Sequence, residues 1–289
     1  MTISVCLLYL PPDIGETINN FQQQSNIMIS FPKIDPNIIE LGPFKLRWYG
    51  LMYVLGFLAA YFLISVQKGA QRLGLQGKLL QDLIFYMALG LVVGARLGYV
   101  LFYQYANLGY YFEHPIEIIA VWHGGMSFHG GFIGVVLASI LFCRVQGLPF
   151  LQLADVVIVT APVGLFCGRM GNFINGELYG RATSVPWAMV FPASPGVPRH
   201  PSQLYEAGLE GVVLFIVLWM LKDRIKRPGA LVALFLAGYG AMRFVVEFFR
   251  EPDAQIGLFM GFFSMGQFLC LAMILAAGFL WMLLPRGGS

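Results

Sequence analysis

The sequence predicts an all-α integral membrane protein with about seven transmembrane helices and a small, irregular, outward-facing head domain. Three observations carry this. First, 58% of the 289 residues are hydrophobic and only 11% are charged, with a mean hydropathy of +0.71. A soluble chain carries about 25% charge, so these few charges cannot coat a water-facing surface. Second, seven stretches approach the roughly 20 mostly apolar residues that a bilayer crossing requires. They lie near 49–67, 80–103, 124–143, 151–173, 204–221, 229–249 and 259–284. Third, the longest interval between them, 174–203, contains Pro186, Pro192, Pro195, Pro198 and Pro201, which oppose regular helix.

Taken in order, residues 1–10 are apolar but too short to span, follow no basic segment and stop at Pro11 and Pro12. Neither a cleavable signal nor a first membrane helix is expected there. Residues 1–48 are expected to form an amino-terminal arm at the outer membrane surface. Residues 49–173 carry spans one to four, 174–203 the periplasmic head loop, and 204–289 spans five to seven with a short cytoplasmic tail. Charges interrupt the fifth and sixth spans and blur their edges. No internal repeat or low-complexity segment is visible.

Lys and Arg in short loops set orientation. Lys68, Arg72 and Lys78 follow span one, Arg144 span three, Lys222, Arg224, Lys226 and Arg227 span five, and Arg286 span seven. All fall on one side if the spans alternate. The loop Gln104–His123 has neither Lys nor Arg. The amino terminus is therefore expected outside and the carboxyl terminus in the cytoplasm, with Lys33, Lys45 and Arg47 as a mild counter-argument. Trp48, Tyr49, Trp122 and Trp187 fall near the outer boundaries, where an aromatic belt belongs. The net charge of +3 makes no case for nucleic acid. Cys6, Cys143, Cys167 and Cys270 form no CxxC pair; they read as small buried hydrophobes, with no zinc site and no disulfide framework.

Charge at membrane depth is costly and marks function by default. Arg96, Asp155, Arg169, Glu206, Glu210, Arg243 and Glu247 sit in or at the ends of spans, most toward the outer side. Bland accounts exist for some of them. Arg243 and Glu247 can form a self-neutralising i,i+4 pair. Asp155 can serve as a helix amino-terminal charge or partner an arginine. Arg96 can pair with a carboxylate.

Four outer-side clusters argue for more. The run His123-Gly-Gly-Met-Ser127-Phe-His129-Gly-Gly places glycines, which admit close backbone approach, around two side chains suited to proton exchange near neutral pH. In Arg169-Met-Gly-Asn172-Phe-Ile-Asn175-Gly-Glu177-Leu-Tyr-Gly180, a cation, two amides and a carboxylate converge. Arg169 and Asn172 share a helix face, and guanidinium and amide donors suit a phosphate diester. The other two clusters are Arg199 to Glu206 and Tyr239 to Asp253. An anionic ligand such as a phospholipid headgroup matches two arginines and several amides.

These residues resemble a known family. Arg169-x-x-Asn172-x-x-Asn175-x-Glu177-x-x-Gly180 is similar to the signature of the bacterial phosphatidylglycerol–prolipoprotein diacylglyceryl transferases. Trp48 to Tyr53, His123 to Gly131, His200 to Glu206 and Arg243 to Asp253 match in the expected order, so the resemblance covers about residues 40–284. It implies transfer of the diacylglyceryl group of phosphatidylglycerol to the lipobox cysteine of preprolipoprotein signal peptides. The product is a thioether, glycerol phosphate leaves, and neither metal nor organic cofactor is implied. It also implies seven membrane helices and a small head domain in the bacterial inner membrane. By family position His129, Arg169 and Arg243 are the catalytic candidates, with His129 the best match for a base. Asn172 and Asn175 are positioning donors, and Tyr49, Glu177, Gly180, His200, Tyr239 and Glu247 are candidates for holding lipid and headgroup. Other classes compete. A secondary transporter of an anionic substrate also explains intramembrane charge but would show two related halves with paired broken segments. A purely structural or partner-binding membrane protein does not account for Arg, His, Asn and Glu converging on the outer side. An intramembrane hydrolase or acyltransferase would be favoured by a GxSxG elbow, which is absent.

Overall fold

The computed structural model describes residues 29–32, 34–41, 44–251, 258–259 and 263–284. Expectations attached to residues 1–28, Lys33, Pro252, Asp253 and Arg286 lie outside them. The main helices are α1 (Trp48–Ser65), α2 (Gly77–Gly98), α3 (Phe128–Gln146), α4 (Phe150–Ile158), α5 (Ala161–Ile174), α6 (Ser202–Leu221), α7 (Ala230–Val246) and α8 (Met265–Leu283). Among the described residues five helices are long and apolar enough to cross a membrane. The bent pair α4–α5 brings the number to six if it is one span, and α7 is a shorter apolar helix of 17 residues. Large side chains such as Leu58, Phe62, Phe85, Leu275 and Phe279 stand exposed around the bundle. So continuous an apolar exterior suits lipid rather than water, and the chain is a multi-pass membrane protein.

Each predicted span corresponds to helix, with differences that have local causes. The fourth is broken rather than continuous. Its two halves meet at 43°, and Pro162, which follows the break, sits in the first turn of α5, where its missing N–H costs nothing. The third starts at Phe128 instead of 124, because Gly124 and Gly125 adopt φ of 82° and 76°, outside any helix. Ser127 then caps α3 by accepting the Gly130 N–H at 3.1 Å. The second span continues past Gly98 as a π-helical turn, Tyr99–Tyr103.

Helices α2 and α3 are pressed together through glycine. A Cβ on Gly90 would lie 2.5 Å from the Gly134 carbonyl oxygen, and one on Gly94 2.7 Å from the Gly134 Cα. Small residues at such spacing let backbones approach in lipid, where apolar burial gives no preference for helix over acyl chain. Replacing Gly134 by leucine should therefore force the pair apart and cost at least the roughly 1–3 kcal/mol typical of overpacking. Thermal unfolding in detergent checks this, with Gly50→Leu, where no atom lies within 4 Å of the added Cβ, as the silent control.

Two charges take partners other than those expected. Arg96 is buried (5% exposed) yet meets no carboxylate among the described residues. Its guanidinium donates to the backbone carbonyls of Ile118 (3.1 Å), Glu117 (2.5 Å), Gly125 (3.0 Å) and Gly124, and so fastens the loop that leads into α3. Asp155 stands in the second turn of α4 and caps a different helix. It accepts the backbone N–H groups of Gly229 (2.7 Å) and Val232 (3.1 Å) at the start of α7, where the orphan donors and the helix dipole favour an anion. Cys143 and Cys270 are buried as expected, and Cys167 partly so.

Alternation sorts the helix ends. The start of α1 and the ends of α2, α5 and α7 share one end of the bundle with the starts of α3, α6 and α8. The basic residues Lys68, Arg72, Lys78, Arg144, Lys222, Arg224, Lys226 and Arg227 gather at the other. An apolar core there joins Ile64, Leu80, Leu83, Phe142 and Leu153. At the first end, the segment between α5 and α6 forms turns and short strands. Parallel pairing joins β1 (Ile29–Ser30) to β2 (Met189–Val190), which pairs in turn with antiparallel β3 (Pro198–Arg199). Phe31, beside β1, is buried against Phe173 and Phe191. That part of the amino-terminal arm is thus packed into the loop after α5.

Candidate functional site

Six ionisable side chains meet at the first end of the bundle. Arg169 arrives from the last turns of α5, Glu206 and Glu210 from α6, and Arg243 and Glu247 from the end of α7. Arg250 lies one turn beyond. Arg243 and Glu247 meet because they are four residues apart at the end of α7, whereas Arg250 stands beyond the helix, held in a β-bridge to Gly180. Glu206 and Glu210 flank the point where α6 changes to π-helical hydrogen bonding, Ala207–Val213, a feature that often marks functional sites.

Glu206, 1% exposed, is the hub. Its Oε2 lies 2.5 Å from Arg169 Nε, while its Oε1 is 2.6 Å from Arg243 Nη1 and 3.2 Å from Arg250 Nη1. Arg243 also reaches Glu247 Oε2 at 2.9 Å, and Ser264 Oγ donates to the other oxygen of Glu247 at 2.9 Å. Glu210 is fully buried, 3.8 Å from both Arg169 and Arg243, and neither of its oxygens accepts a hydrogen bond. Three guanidinium groups face three carboxyl groups, two of which, Glu206 and Glu247, are directly paired with them. The cluster is rich in donors, and each arginine side chain keeps 13–19% exposure.

A second layer fixes the turn after α5. Asn172 and Asn175 donate to Glu177 Oε1 at 2.9 and 3.2 Å, and Arg169 Nη1 lies 3.5 Å from Asn172 Oδ1. The Glu177 backbone carbonyl accepts from Gln203 Nε2 at 2.6 Å. Gly180 leaves no room for a side chain, since a Cβ there would lie 2.8 Å from His200 Cβ and closer still to the Phe249 carbonyl oxygen. Its N–H donates to the His200 carbonyl at 2.8 Å, and a β-bridge joins it to Arg250. Tyr49, at the start of α1, packs where a Cβ on Gly171 would meet its ring at 3.0 Å, and its hydroxyl is 3.2 Å from that of Tyr53. Tyr239, one turn before Arg243 on α7, stacks on Phe235 with ring centroids 5.8 Å apart.

The structure thus brings together Arg169, Asn172, Asn175, Glu177, Gly180, His200, Arg243 and Glu247 of the sequence candidates. It does not join His129 to them. That side chain is exposed in the first turn of α3, and among the described residues no hydrogen bond or ion pair links it to the arginines. His123, its neighbour in the motif, binds Glu117 Oε2 at 2.9 Å.

Glu206, Glu210 and Arg250 were visible in the sequence as costly charges or motif members but were not picked out as site residues. Nothing in the linear order says that one glutamate would collect three arginines. The i,i+4 spacings of Glu206 with Glu210 and of Arg243 with Glu247 are the available signal for two facing charged helix surfaces; Arg250, beyond the end of α7, gives no such signal. Among the described residues no group of His, Cys, Asp and Glu has the arrangement of a metal site.

Comparison with known proteins places this geometry. The family model described as prolipoprotein diacylglyceryl transferase matches residues 36–283. A phosphatidylglycerol–prolipoprotein diacylglyceryl transferase of Geobacter sulfurreducens is 55% identical over 247 residues, covering 86% of this chain and 94% of the relative. Its counterpart in Bordetella avium is 53% identical, covering 91% and 99%, and that of Legionella pneumophila 48%, covering 88% and 98%. With the matched region running from the arm through the last helix, and with every residue of the charged cluster inside it, the chain belongs to the prolipoprotein diacylglyceryl transferase family.

Proposed function

We propose that this protein transfers the diacylglyceryl group of phosphatidylglycerol to the lipobox cysteine of preprolipoprotein signal peptides, the first step of lipoprotein maturation. The observation that carries the reading is the donor-rich cluster of Arg169, Arg243 and Arg250 around Glu206 at one end of a membrane bundle. The cysteine thiolate attacks the glycerol carbon that bears the phosphate ester. A C–S bond forms, the C–O bond breaks, and the electron pair leaves on the phosphate oxygen of glycerol phosphate. Arginines already fixed by carboxylates can meet that growing charge without reorganising, which is where electrostatic catalysis is most effective. The exposed guanidinium edges are the groups available to the lipid phosphate. Asn172 and Asn175 hold Glu177 and the turn, and Tyr49, Gly180, His200, Tyr239 and Glu247 shape the surrounding wall.

The thiol must lose its proton, since the thiolate is the nucleophile. His129 is the proposed base. In-line displacement puts nucleophile and leaving group on opposite sides of the carbon, so a base on α3 apart from the phosphate-holding arginines suits the reaction. The site end is proposed to face the periplasm, with 174–203 as the head domain, the amino terminus outside and the carboxyl terminus in the cytoplasm of a bacterial inner membrane. The basic residues at the opposite end support this through the positive-inside rule. The transporter reading finds no support in the relatives.

The purified protein in detergent, given phosphatidylglycerol and a synthetic lipobox peptide, should release glycerol phosphate. The peptide should gain the mass of one diacylglyceryl group, and a peptide with serine in place of the cysteine should gain nothing. Glycerol phosphate without peptide modification would instead make the protein a lipid hydrolase.

A further inference from the structure

His200 is the second histidine beside the arginine cluster, and its surroundings assign it a different job from His129. Its Nδ1 lies 3.1 Å from the Tyr205 hydroxyl. That hydroxyl in turn lies 2.6 Å from the indole Nε1 of Trp187. An indole nitrogen can only donate, so the Tyr205 oxygen accepts from Trp187. That leaves the Tyr205 proton free to be donated to His200 Nδ1, which makes Nδ1 the acceptor and puts the ring proton of neutral His200 on Nε2. In the other tautomer the Tyr205 oxygen would accept twice and its own proton would have no acceptor among the described residues. The ring is wedged as well. Phe249 meets it edge-on at 5.2 Å and Tyr205 at 5.8 Å, Gly180 abuts its Cβ, and its backbone N–H donates to the Arg181 carbonyl at 3.0 Å. Among the described residues no carboxylate makes an ion pair with the ring, and burial holds its pKa below the ordinary histidine value, so the neutral ring is the working form near neutral pH. Nε2–H has no hydrogen-bond partner among the described residues. One β-bridge, Gly180 to Arg250, separates this residue from the arginines that hold Glu206.

We propose that Trp187 and Tyr205 form a hydrogen-bond chain that locks His200 with its proton on Nε2, making it a neutral donor to the oxygens of the bound lipid headgroup and not a proton acceptor. Tyr205 and Trp187 are positioning residues in this scheme. The inference rests on the phosphatidylglycerol reading of the site, and it leaves His129 as the histidine free to take the thiol proton. No bond is made or broken at His200. A nitrogen whose neighbour is fixed by a hydrogen bond has its protonation decided for it.

Two measurements test it. The first needs no turnover. In the full-length protein with 15N-labelled histidine, in detergent near neutral pH, the His200 signals (assigned by their loss in His200→Gln) should show Nε2 protonated and Nδ1 unprotonated but hydrogen-bonded. In Tyr205→Phe the Nδ1 signal should move to the position of a free nitrogen. A wild-type ring protonated on Nδ1, or an Nδ1 signal unmoved in Tyr205→Phe, overturns the proposal. The second measurement separates donor from base. The amide nitrogen of glutamine can stand where Nε2–H stood, but it cannot exchange a proton. His200→Gln should stay within about tenfold of wild-type transfer. His200→Ala should lose about ten- to a hundredfold, mainly in KM for phosphatidylglycerol, the contribution of a hydrogen bond to a charged oxygen. A monodisperse, folded His200→Gln protein as inactive as His200→Ala would overturn the donor role. If the wild type itself modifies no peptide, the function reading fails while the tautomer result stands on its own.

Discussion

Replacing Arg243 by alanine is expected to abolish diacylglyceryl transfer while the protein stays folded. Both halves follow from the geometry. Within the cluster Arg243 is the arginine that grips two carboxylates at close range, Glu206 at 2.6 Å and Glu247 at 2.9 Å, so its guanidinium plane is fixed before any substrate arrives. Loss of one preorganised donor from a site of developing negative charge costs about 10²–10³ in turnover. Alanine removes every donor of the fork at once and empties the space beside the phosphate. The fold survives because neither carboxylate is abandoned. Glu206 keeps Arg169 at 2.5 Å and Arg250 at 3.2 Å, and Glu247 keeps the Ser264 hydroxyl. Lysine in place of Arg243 should do little better, since one ammonium cannot hold two carboxylates in a plane and still present an edge to the lipid. Peptide mass and glycerol phosphate release measure the loss, and elution as a single monodisperse species with unchanged helical circular dichroism verifies the fold. Turnover near the wild-type rate in Arg243→Ala would remove this arginine from the mechanism.

What the linear sequence disclosed differs between bundle and site, and for physical reasons. Apolar length is a one-dimensional property, so the helices could be read with only edge errors, such as the start of α3 after the glycine turn. The break in the fourth span was missed because Pro162 looks alike whether it opens a helix or interrupts one. Arg96 and Asp155 were recognised as costly, but both satisfy themselves with backbone groups, and backbone groups are the same at every position and leave no mark in composition. The arginine cluster was half legible. Arg169 and Arg243 stood out as charges in apolar surroundings, while the role of Glu206 depends on α5, α6 and α7 converging. Phe31 was the least foreseeable. One aromatic residue in a polar arm gives no hint that it packs against Phe173 and Phe191, more than a hundred residues away.

The second large effect is expected at Glu206, with opposite signs in its two kinetic readouts. Glu206→Gln keeps the shape and removes one negative charge from the point where three arginines meet. The cluster then gains one unit of positive charge, and the arginines repel one another with only Glu210 and Glu247 to restrain them. A site with excess positive charge attracts the monoanionic lipid more strongly, so KM for phosphatidylglycerol should fall or hold steady. Turnover should fall by about a hundredfold, because arginines that must be gathered at the moment of reaction no longer supply preorganised stabilisation. Stability should also drop, by up to the roughly 3–5 kcal/mol seen when a buried ion pair loses one partner, since Glu206 is 1% exposed and sheltered from water. Its neighbour Glu210 cannot take over, lying 3.8 Å from Arg169 and Arg243 with no hydrogen bond to either. Steady-state rates at varied phosphatidylglycerol with saturating lipobox peptide separate the two readouts, and a thermal unfolding curve supplies the third. A raised KM with unchanged turnover would mean that Glu206 belongs to lipid binding alone. A fall in turnover with steady or tighter lipid binding would identify it as the residue that holds the arginines in the geometry of the transition state, because only an interaction stronger there than in the ground state alters rate without weakening binding.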